Sequence, residues 1–442
     1  MTQAVDLRPH IEVEVGTVPV TRVRWIRNFV LVEDAQQLSD PCSFDLPNDE
    51  GQYTIWLSYR HLPITVWVCD PAVNQGRPVR RLKGVISDVE QIVQEGSVVR
   101  VVCYDLGWHL AGSCVRTMLN VRTVAQDGTE GGLSLYALAQ FLLTDSYFFT
   151  DPKTGQTQRI PGQTNWGFEG IIGYNPAAPR QGLIDKDYEI AAAAARGLHL
   201  DFGRLGQQIA LHPNPYQITP IIQTETGETV AEVLLRYAGL VRCLVGVDPL
   251  GYLCLYRPDY STPPAYGFFH CPPSDPLHLS NNVIASRYRL SGDSVYTEVR
   301  CYSTVIESTY APQTSNPNEG RLFGQYLAPG AAVAGAPSSE ISRPLPLRRL
   351  TFADSERYNP ERARARALWR WQQGIFAAAS LTYKVQGISQ GGKLYTTNVQ
   401  AEARDGYNGL DRTMFVSRVE LRQDESGTST VVTLKPSGLY FA

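Results

Sequence analysis

Short runs of alternating apolar and polar residues occur at both ends of the 442-residue chain, and this pattern constrains the fold most strongly. The segment IEVEV at 11–15 alternates cleanly, and strand-like runs follow at 64–69, 82–92 and 97–104. Successive side chains of a strand point to opposite faces, so such runs indicate strands with one buried face. Turn residues bound these runs, which predicts a small barrel or sandwich in the first hundred or so residues.

The middle of the chain carries helix and hairpin signals instead. The segment TVAE at 229–232 is a capping-box pattern, in which a Thr and a Glu satisfy free backbone N–H groups at a helix start. Two short apolar runs at 242–247 and 252–256 flank the turn DPLG and predict a hairpin. Residues 150–220 lack clear periodicity, so we expect an irregular insertion within an α+β module.

The last third reads as β structure with one helix. Asn359 is a candidate N-cap and Pro360 a first helical residue, which predicts a helix over 360–378. The Pro-, Gly- and Ala-rich stretch 307–349 predicts a long arm. The predicted fold class is therefore mainly β with α+β, divided into a first β-domain at 1–125, an α+β module at 126–280 and a second β-domain at 281–442.

Composition limits the possible functions. Hydrophobic residues make up 43% of the chain and charged residues 19%, with a net charge of −3, so most of the chain should fold and duplex DNA is an unlikely main partner. We find neither a signal-peptide pattern at the start nor an apolar run long enough for a spanning helix. The eight cysteines form no CxxC pair, which favours buried free thiols.

The P-loop, the dinucleotide fingerprint and the HExxH motif are absent from the sequence. The acidic residues Asp185, Asp187 and Glu189 would suit glycosidase chemistry if two carboxylates faced each other, but a solvated loop is the simpler interpretation. We also interpret Asp105 near His109 as a strand-to-turn residue and His270-Cys271 as a loop pair rather than a metal site. No catalytic, cofactor-binding or metal residue is predicted, and we expect no enzymatic activity.

One charged feature remains. Arg362, Arg366 and Arg370 recur every four residues and line one side of the predicted helix. Such a stripe can bind phosphate, form a solvated face or contact another protein. In a chain of net negative charge, we predict an assembly interface with an acidic neighbour.

Four stretches, taken in order, resemble the baseplate hub proteins of contractile-tailed phages, notably the Mu type, and the hub half of type VI secretion spike proteins. They cover about two thirds of the chain. The stretches are LKGVISDV at 82–89, the run 98–110 containing YDLG, the run 227–253 from GETV to GYL, and the run 391–436 from GGKLYTTN to LKP.

The resemblance implies two similar tube-like β-barrels per subunit, with the arm and the inserted helix in the second, assembled as a pseudo-sixfold homotrimer. Such a hub is a non-enzymatic structural protein of the virion tail baseplate, assembled in the host cytoplasm. It would join the hexameric tail tube to the trimeric central spike and contact wedge proteins. Its axial channel would pass the tape measure protein, and DNA only in transit.

The chain ends soon after its last predicted strand, so we expect the spike to be a separate polypeptide. Two alternatives stay open at this point. One is a tail-associated glycan or peptidoglycan hydrolase. The other is the tail-tip hub of a non-contractile tail, which the sequence alone does not distinguish from the contractile case.

Overall fold

The computed structural model describes most of both ends of the chain and parts of the middle. The described residues are 8–16, 21–24, 26–94, 96–115, 120–122, 135–143, 147–150, 157–160, 166–172, 221–224, 227–240, 243–256, 260, 263–296, 298–306, 323–327, 348–358 and 360–437.

Seven strands and one short helix form the N-terminal β-region, because β-branched and apolar residues alternate there with polar ones. They are β1 (His10–Val15), β2 (Thr21–Val23), β3 (Arg27–Asp34), β4 (Pro41–Pro47), β5 (Pro63–Cys69), β6 (Val79–Gln94), β7 (Gly96–Asp105) and α1 (Gly107–Gly112).

In the part of the middle module that the structure describes, there are two helices and several short strands. They are β8 (Asn120–Arg122), α2 (Leu135–Leu143), β9 (Tyr147–Thr150), β10 (Thr157–Ile160), β11 (Gly170–Ile172), β12 (Ile221–Gln223), α3 (Val230–Leu240), β13 (Leu244–Val247) and β14 (Tyr252–Tyr256).

The C-terminal region is β structure with one long helix. Its elements are β15 (Tyr266–His270), β16 (Val283–Leu290), β17 (Glu298–Ile306), β18 (Phe323–Leu327), β19 (Arg349–Tyr358), α4 (Pro360–Ala378), β20 (Ala379–Gln386), β21 (Ser389–Gln390), β22 (Lys393–Leu394), β23 (Gln400–Asp405), β24 (Leu410–Asp424) and β25 (Gly427–Pro436).

A single 13-stranded sheet unites the two ends of the chain. Its main path runs β16-β20-β25-β24-β3-β4-β7-β6-β5-β1-β2, and β15 joins it through β23, which pairs with β24. The connection between the two regions is the antiparallel β24–β3 pair, in which Leu421 lies opposite Leu31. The predicted β-rich ends are thus confirmed, but in tertiary structure they share one sheet.

No strand ladder closes either region into a barrel within the described residues, so the two expected barrels stay a prediction. Where no strand ladder forms, a side-chain amide makes hydrogen bonds to the backbone of the neighbouring strand. In the C-terminal region, Asn282 beside β16 accepts the Phe269 N–H at 2.9 Å and donates to the Gly267 carbonyl at 2.7 Å. At the N-terminal region, Gln423 of β24 accepts the Ile11 N–H of β1 at 2.9 Å, which links the two regions.

Two main cores lie beneath these elements. The larger one draws buried residues from both ends of the chain, among them Phe44, Trp56, Phe268 and Tyr383. The second lies in the middle module, where α2 and α3 pack together with the β13–β14 hairpin. Long-range packing therefore holds the N- and C-terminal regions to one another.

The capping box predicted for α3 is present. Thr229 Oγ1 accepts the Glu232 N–H at 3.2 Å, and Glu232 Oε2 accepts the Thr229 N–H at 2.7 Å. The Glu232 carboxylate has a lowered pKa because the Thr229 N–H and the Thr229 hydroxyl both donate to it and favour its charged form. The predicted hairpin after α3 is also confirmed.

The prediction that 307–349 is a long arm without strands is wrong in part. Strand β18 lies inside it and pairs with β17, and β19 begins at Arg349 and runs parallel to β17. The FGQYL segment forms a strand because β17 offers it an open edge, which no local pattern reveals. The remainder of the arm, 307–322 and 328–347, lies outside the described residues, as do 173–220 of the irregular insertion.

Candidate assembly site

Three of the four stretches that carry the family resemblance meet at the junction between the N-terminal β-region and the middle module. Lys83 Nζ lies 2.5 Å from Glu169 Oε1 and 3.4 Å from the Gly167 carbonyl oxygen. Gly251 has a φ of +95°, and a Cβ added there would lie 2.8 Å from the Lys83 side chain and 3.3 Å from Leu106. These motif residues form a packed joint that positions the module on the sheet.

Two further motif glycines are required by close backbone approach. A Cβ on Gly84 would lie 1.8 Å from the Tyr104 carbonyl oxygen, and one on Gly107 would lie 2.2 Å from the Leu38 carbonyl oxygen. Asp105 accepts the Gly107 N–H at 2.9 Å, which confirms its role at a strand-to-turn junction. A side chain at position 84 or 107 would collide with these backbone carbonyl groups. The two glycines therefore allow the close approach of neighbouring backbone segments.

A buried acidic group lies beside this joint. Burial raises the pKa of the Asp40 carboxyl well above its usual range, and the nearby carboxylates of Asp105 and Glu33 raise it further. The Asp34 N–H donates to Asp40 at 3.0 Å. A buried guanidinium, that of Arg81, forms an ion pair with Glu33 and compensates part of this negative charge.

The same arginine links the two ends of the chain. The Arg81 side chain is 1% exposed, and its Nη2 donates to the Tyr395 carbonyl oxygen at 2.8 Å. Ser389 and Asp70 form a second link, with a hydroxyl–carboxylate distance of 2.5 Å. These polar contacts hold the segment after β20 against the N-terminal region.

Helix α4 is positioned by an apolar face, as its sequence predicts. Ala367, Trp371 and Ile375 are buried against β17, and Trp371 Nε1 donates to the Tyr296 carbonyl oxygen at 2.9 Å. The helix therefore has a fixed orientation on the sheet formed by β17, β18 and β19.

The arginine stripe is described only in part. Arg370 is exposed and donates to Gln373 at 3.2 Å within the helix. The backbone of Arg362 and Arg366 belongs to α4, but their side chains lie outside what the structure describes. The structure places Arg370 on an exposed side of the helix adjacent to the buried face, and the assembly role of the three arginines stays a prediction.

Of the two candidate catalytic groups, the structure describes the one at Asp105 and His109. Burial, together with neighbouring His61, lowers the pKa of His109, whose ring lies against Trp108. The acidic residues Asp185, Asp187 and Glu189 lie outside the described residues.

One group within the described residues has side chains suitable for a metal ion: His10, Glu12 and Cys69. Its carboxylate is already engaged, because Glu12 forms ion pairs with Arg22 and, at 2.8 Å, with Arg24. Burial, then the Glu12 charge, raises the pKa of the Cys69 thiol to about 11. An uncharged thiol and two guanidinium groups indicate an ion-pair cluster that holds β2 against β1 rather than a cation site.

His270 ends β15 and lies beside a buried carboxylate. Its Nδ1 is 3.4 Å from Asp405 Oδ1, and its ring lies tilted against the ring of the exposed Tyr407, with the ring centroids 4.7 Å apart. Asn408 donates to Asp405 at 2.8 Å. His270 is thus a strand-end residue held by side-chain contacts, where the sequence predicted a loop. All eight cysteines are free thiols, and seven of them are buried, as predicted.

The sequence interpretation missed the buried pair Arg81 and Glu33. Glu33 shares the inward side of β3 with Phe29 and Leu31, and Arg81 lies at the bulge of β6. A charged residue at such a position is a usable signal, but only after the strand register is known.

No helix in the described part of the chain is both long and apolar enough to cross a membrane. Residues 359–441 match the family model of the Mu phage baseplate assembly protein GpP, fourth domain. This segment comprises α4 and the final strands of the shared sheet. No curated protein matches the sequence of the chain.

Solved structures share the fold across nearly the whole chain. The 43 kDa tail protein of prophage MuSo2 from Shewanella oneidensis has a TM-score of 0.62 and 17% identity, with 96% of this chain and 98% of that protein covered. A tail protein from Neisseria meningitidis MC58 has a TM-score of 0.63 and 16% identity, with 98% of each chain covered.

A more distant likeness is to the Francisella PdpA–VgrG complex, with a TM-score of 0.51 and 9% identity. It covers 97% of this chain but 52% of that one. The resemblance to Mu-type baseplate hub proteins is thus confirmed, since the chain carries a match to the GpP fourth domain within the fold of prophage tail proteins.

Proposed function

We propose that this chain is a structural component of a phage tail baseplate and acts there as the hub. The observation that carries the proposal is the GpP fourth-domain match at 359–441, placed in a fold similar to those of prophage tail proteins along its whole length. The hub is a homotrimeric adaptor that joins the hexameric tail tube to the trimeric central spike. Its axial channel passes the tape measure protein and DNA.

The shared sheet supports an adaptor role. Each chain contributes two β-rich regions, joined edge to edge by the β24–β3 pair. A trimer of such chains presents six similar regions, which match a sixfold tube on one side, while the threefold symmetry of the subunits matches a trimeric spike. The hydrogen bond from Arg81 to the Tyr395 carbonyl keeps the two regions of one subunit in a fixed relation.

The hub contacts acidic neighbours through α4 and the arm before it. The buried face of α4 is fixed by Trp371, so the arginine side of the helix points away from the core at Arg370. Changing Arg362, Arg366 and Arg370 together to Glu should leave thermal melting unchanged and weaken co-sedimentation with baseplate partners, most strongly at low salt. Lys393→Glu, an exposed charge reversal elsewhere, is the control.

Native mass measurement of the purified protein tests the proposal, alone and mixed with tube and spike proteins. We expect a species of three chains, each of 49.0 kDa, and a larger complex with both partners. A monomer that neither partner changes contradicts the hub. Zymography on peptidoglycan and capsule should show no clearing, and clearing abolished by Asp185→Asn or Asp187→Asn would instead support the hydrolase.

A further inference from the structure

Two of the seven buried cysteines lie directly opposite each other in the shared sheet. Cys42 of β4 and Cys103 of β7 are cross-strand partners. Among the strand pairs that the structure describes, no other joins two cysteines in this way. Opposite residues of paired strands point to the same face of a sheet, so the two thiols project side by side.

Both thiols belong to the large core shared by the two ends of the chain. Cys42 is 1% exposed and Cys103 is 0% exposed. Leu31 lies opposite Cys42 on its other side and Ile86 lies opposite Cys103, and both neighbours are buried. Burial raises the pKa of the Cys42 thiol well above its usual range, and a hydrogen bond with Cys103 raises it further. The two sulfur atoms are therefore neighbours in an apolar environment.

The ladder between β4 and β7 sets the distance between the two backbones. Just before the first pair of this ladder, the Asp105 N–H donates to the Asp40 carbonyl at 3.2 Å. Hydrogen-bonded pairs recur every second residue in an antiparallel ladder, which makes Cys42 and Cys103 a hydrogen-bonded pair. The Cα atoms of such a pair are about 5.5 Å apart, and the Cα atoms of a disulfide are most often about 5.5–6 Å apart. The backbone spacing therefore suits a disulfide.

We propose that Cys42 and Cys103 form a cross-strand disulfide when the chain meets hydrogen peroxide. One thiolate attacks the O–O bond of the peroxide, which gives a sulfenic acid at that sulfur and releases hydroxide. The sulfur of the second cysteine then attacks the sulfenic sulfur. The S–S bond forms, the S–O bond breaks, and the oxygen leaves as water with the thiol proton. In total, two thiols and one peroxide give one disulfide and two water molecules.

Burial decides when this bond forms. A buried thiol with a raised pKa is uncharged at neutral pH, so its oxidation is slow, and a reducing cytoplasm keeps it reduced. This setting rests on the proposed function, in which the released particle leaves the host for an oxidising medium. There the disulfide accumulates, closes a loop of about 60 residues and ties β4 to β7.

Thiol counting after denaturation tests the bond in the purified chain. A Cys114→Ser background removes the exposed thiol and leaves seven of the eight cysteines. Treatment with hydrogen peroxide should lower the count from seven to five, and a thiol reductant should restore seven. Peptide mapping should recover the segments around Cys42 and Cys103 joined by a disulfide.

Single variants in this background separate the pair from the other thiols. Cys42→Ala and Cys103→Ala should each keep all six thiols after peroxide. Cys301→Ala is the control, because this buried cysteine lies opposite Gly324 and Phe352 rather than a cysteine, and its count should fall from six to four. Oxidation should raise the melting temperature of the background chain and of Cys301→Ala by roughly 5 °C, and should leave that of the other two variants unchanged.

The outcomes distinguish this bond from the proposed hub. A purified chain that keeps seven thiols, or one whose disulfide joins other cysteines, overturns the inference whatever its oligomeric state. A monomer that forms the bond contradicts the hub and leaves the inference in place. Alkylation after denaturation should label Cys42 and Cys103 in chain taken from the host cytoplasm but not in released particles, and label on both cysteines in released particles overturns the inference.

Discussion

The buried Arg81 should be among the most sensitive positions of the protein. Arg81→Met keeps the length of the side chain but removes its charge and its donors. Glu33 then loses its ion-pair partner, and the Tyr395 carbonyl loses its 2.8 Å hydrogen bond. The neighbouring carboxyl groups of Asp40 and Asp105 stay in place without the compensating guanidinium group. Breaking a buried ion pair by removing one partner typically costs about 3–5 kcal/mol, against a total stability of roughly 5–15 kcal/mol.

A matched control comes from an exposed ion pair in the same region. Arg60→Met breaks the contact with Asp88, in which both side chains are 61% exposed, and should cost less than about 1 kcal/mol. The double variant Arg81→Met with Glu33→Met removes both charges and should recover much of the loss, because apolar replacement of a buried pair is often neutral.

Urea denaturation followed by tryptophan fluorescence measures these differences in the free energy of unfolding. Hydrogen exchange of residues 389–396 reports whether the segment that Arg81 holds opens first. If Arg81→Met and Arg60→Met lower the free energy of unfolding by the same amount within about 1 kcal/mol, the reasoning is refuted. The buried contacts of Arg81 would then stabilise the protein no more than an exposed ion pair does.

Three further changes have defined outcomes. Gly84→Ala should lower the stability by several times the roughly 1 kcal/mol of an ordinary substitution, because its Cβ would lie 1.8 Å from a backbone carbonyl oxygen. Gly112→Ala is the control, since open space surrounds this glycine, and it should leave thermal melting almost unchanged. The raised pKa of Asp40 means that its contribution to stability is complete below the usual carboxyl range and is lost as pH rises through the folded-state value. Asp40→Asn should therefore flatten the pH profile of melting and stabilise the protein at neutral pH. Thr229→Ala removes the hydroxyl that accepts the Glu232 N–H and should cost about 1 kcal/mol in urea denaturation.

Local patterns accounted for much of the secondary structure. Helix α4 begins at Pro360 and ends at Ala378, as its N-terminal signals and apolar spacing predicted. The capping box of α3 and the β13–β14 hairpin were also predictable, because each depends on residues within a few positions of one another.

Sequence patterns failed where a distant partner decides the structure. Strand β18 was predicted to be part of a loop, and it becomes a strand only because β17 lies beside it. The candidate assembly site divides in the same way. The arginine stripe could be read from a four-residue spacing, whereas the buried pair of Arg81 and Glu33 joins the separate strands β6 and β3.

Alternation and helical spacing predicted most of the strands and helices, because they express which side of an element is buried. The close backbone contacts of Gly84 and Gly107 came from the folded structure alone. The pairing of β24 with β3, which makes one sheet of two regions, likewise depends on the tertiary fold. Strand pairing joins residues almost 400 positions apart, as between Arg422 and Val30, and depends on backbone hydrogen bonds that every residue type can form, so the local sequence does not encode the partner.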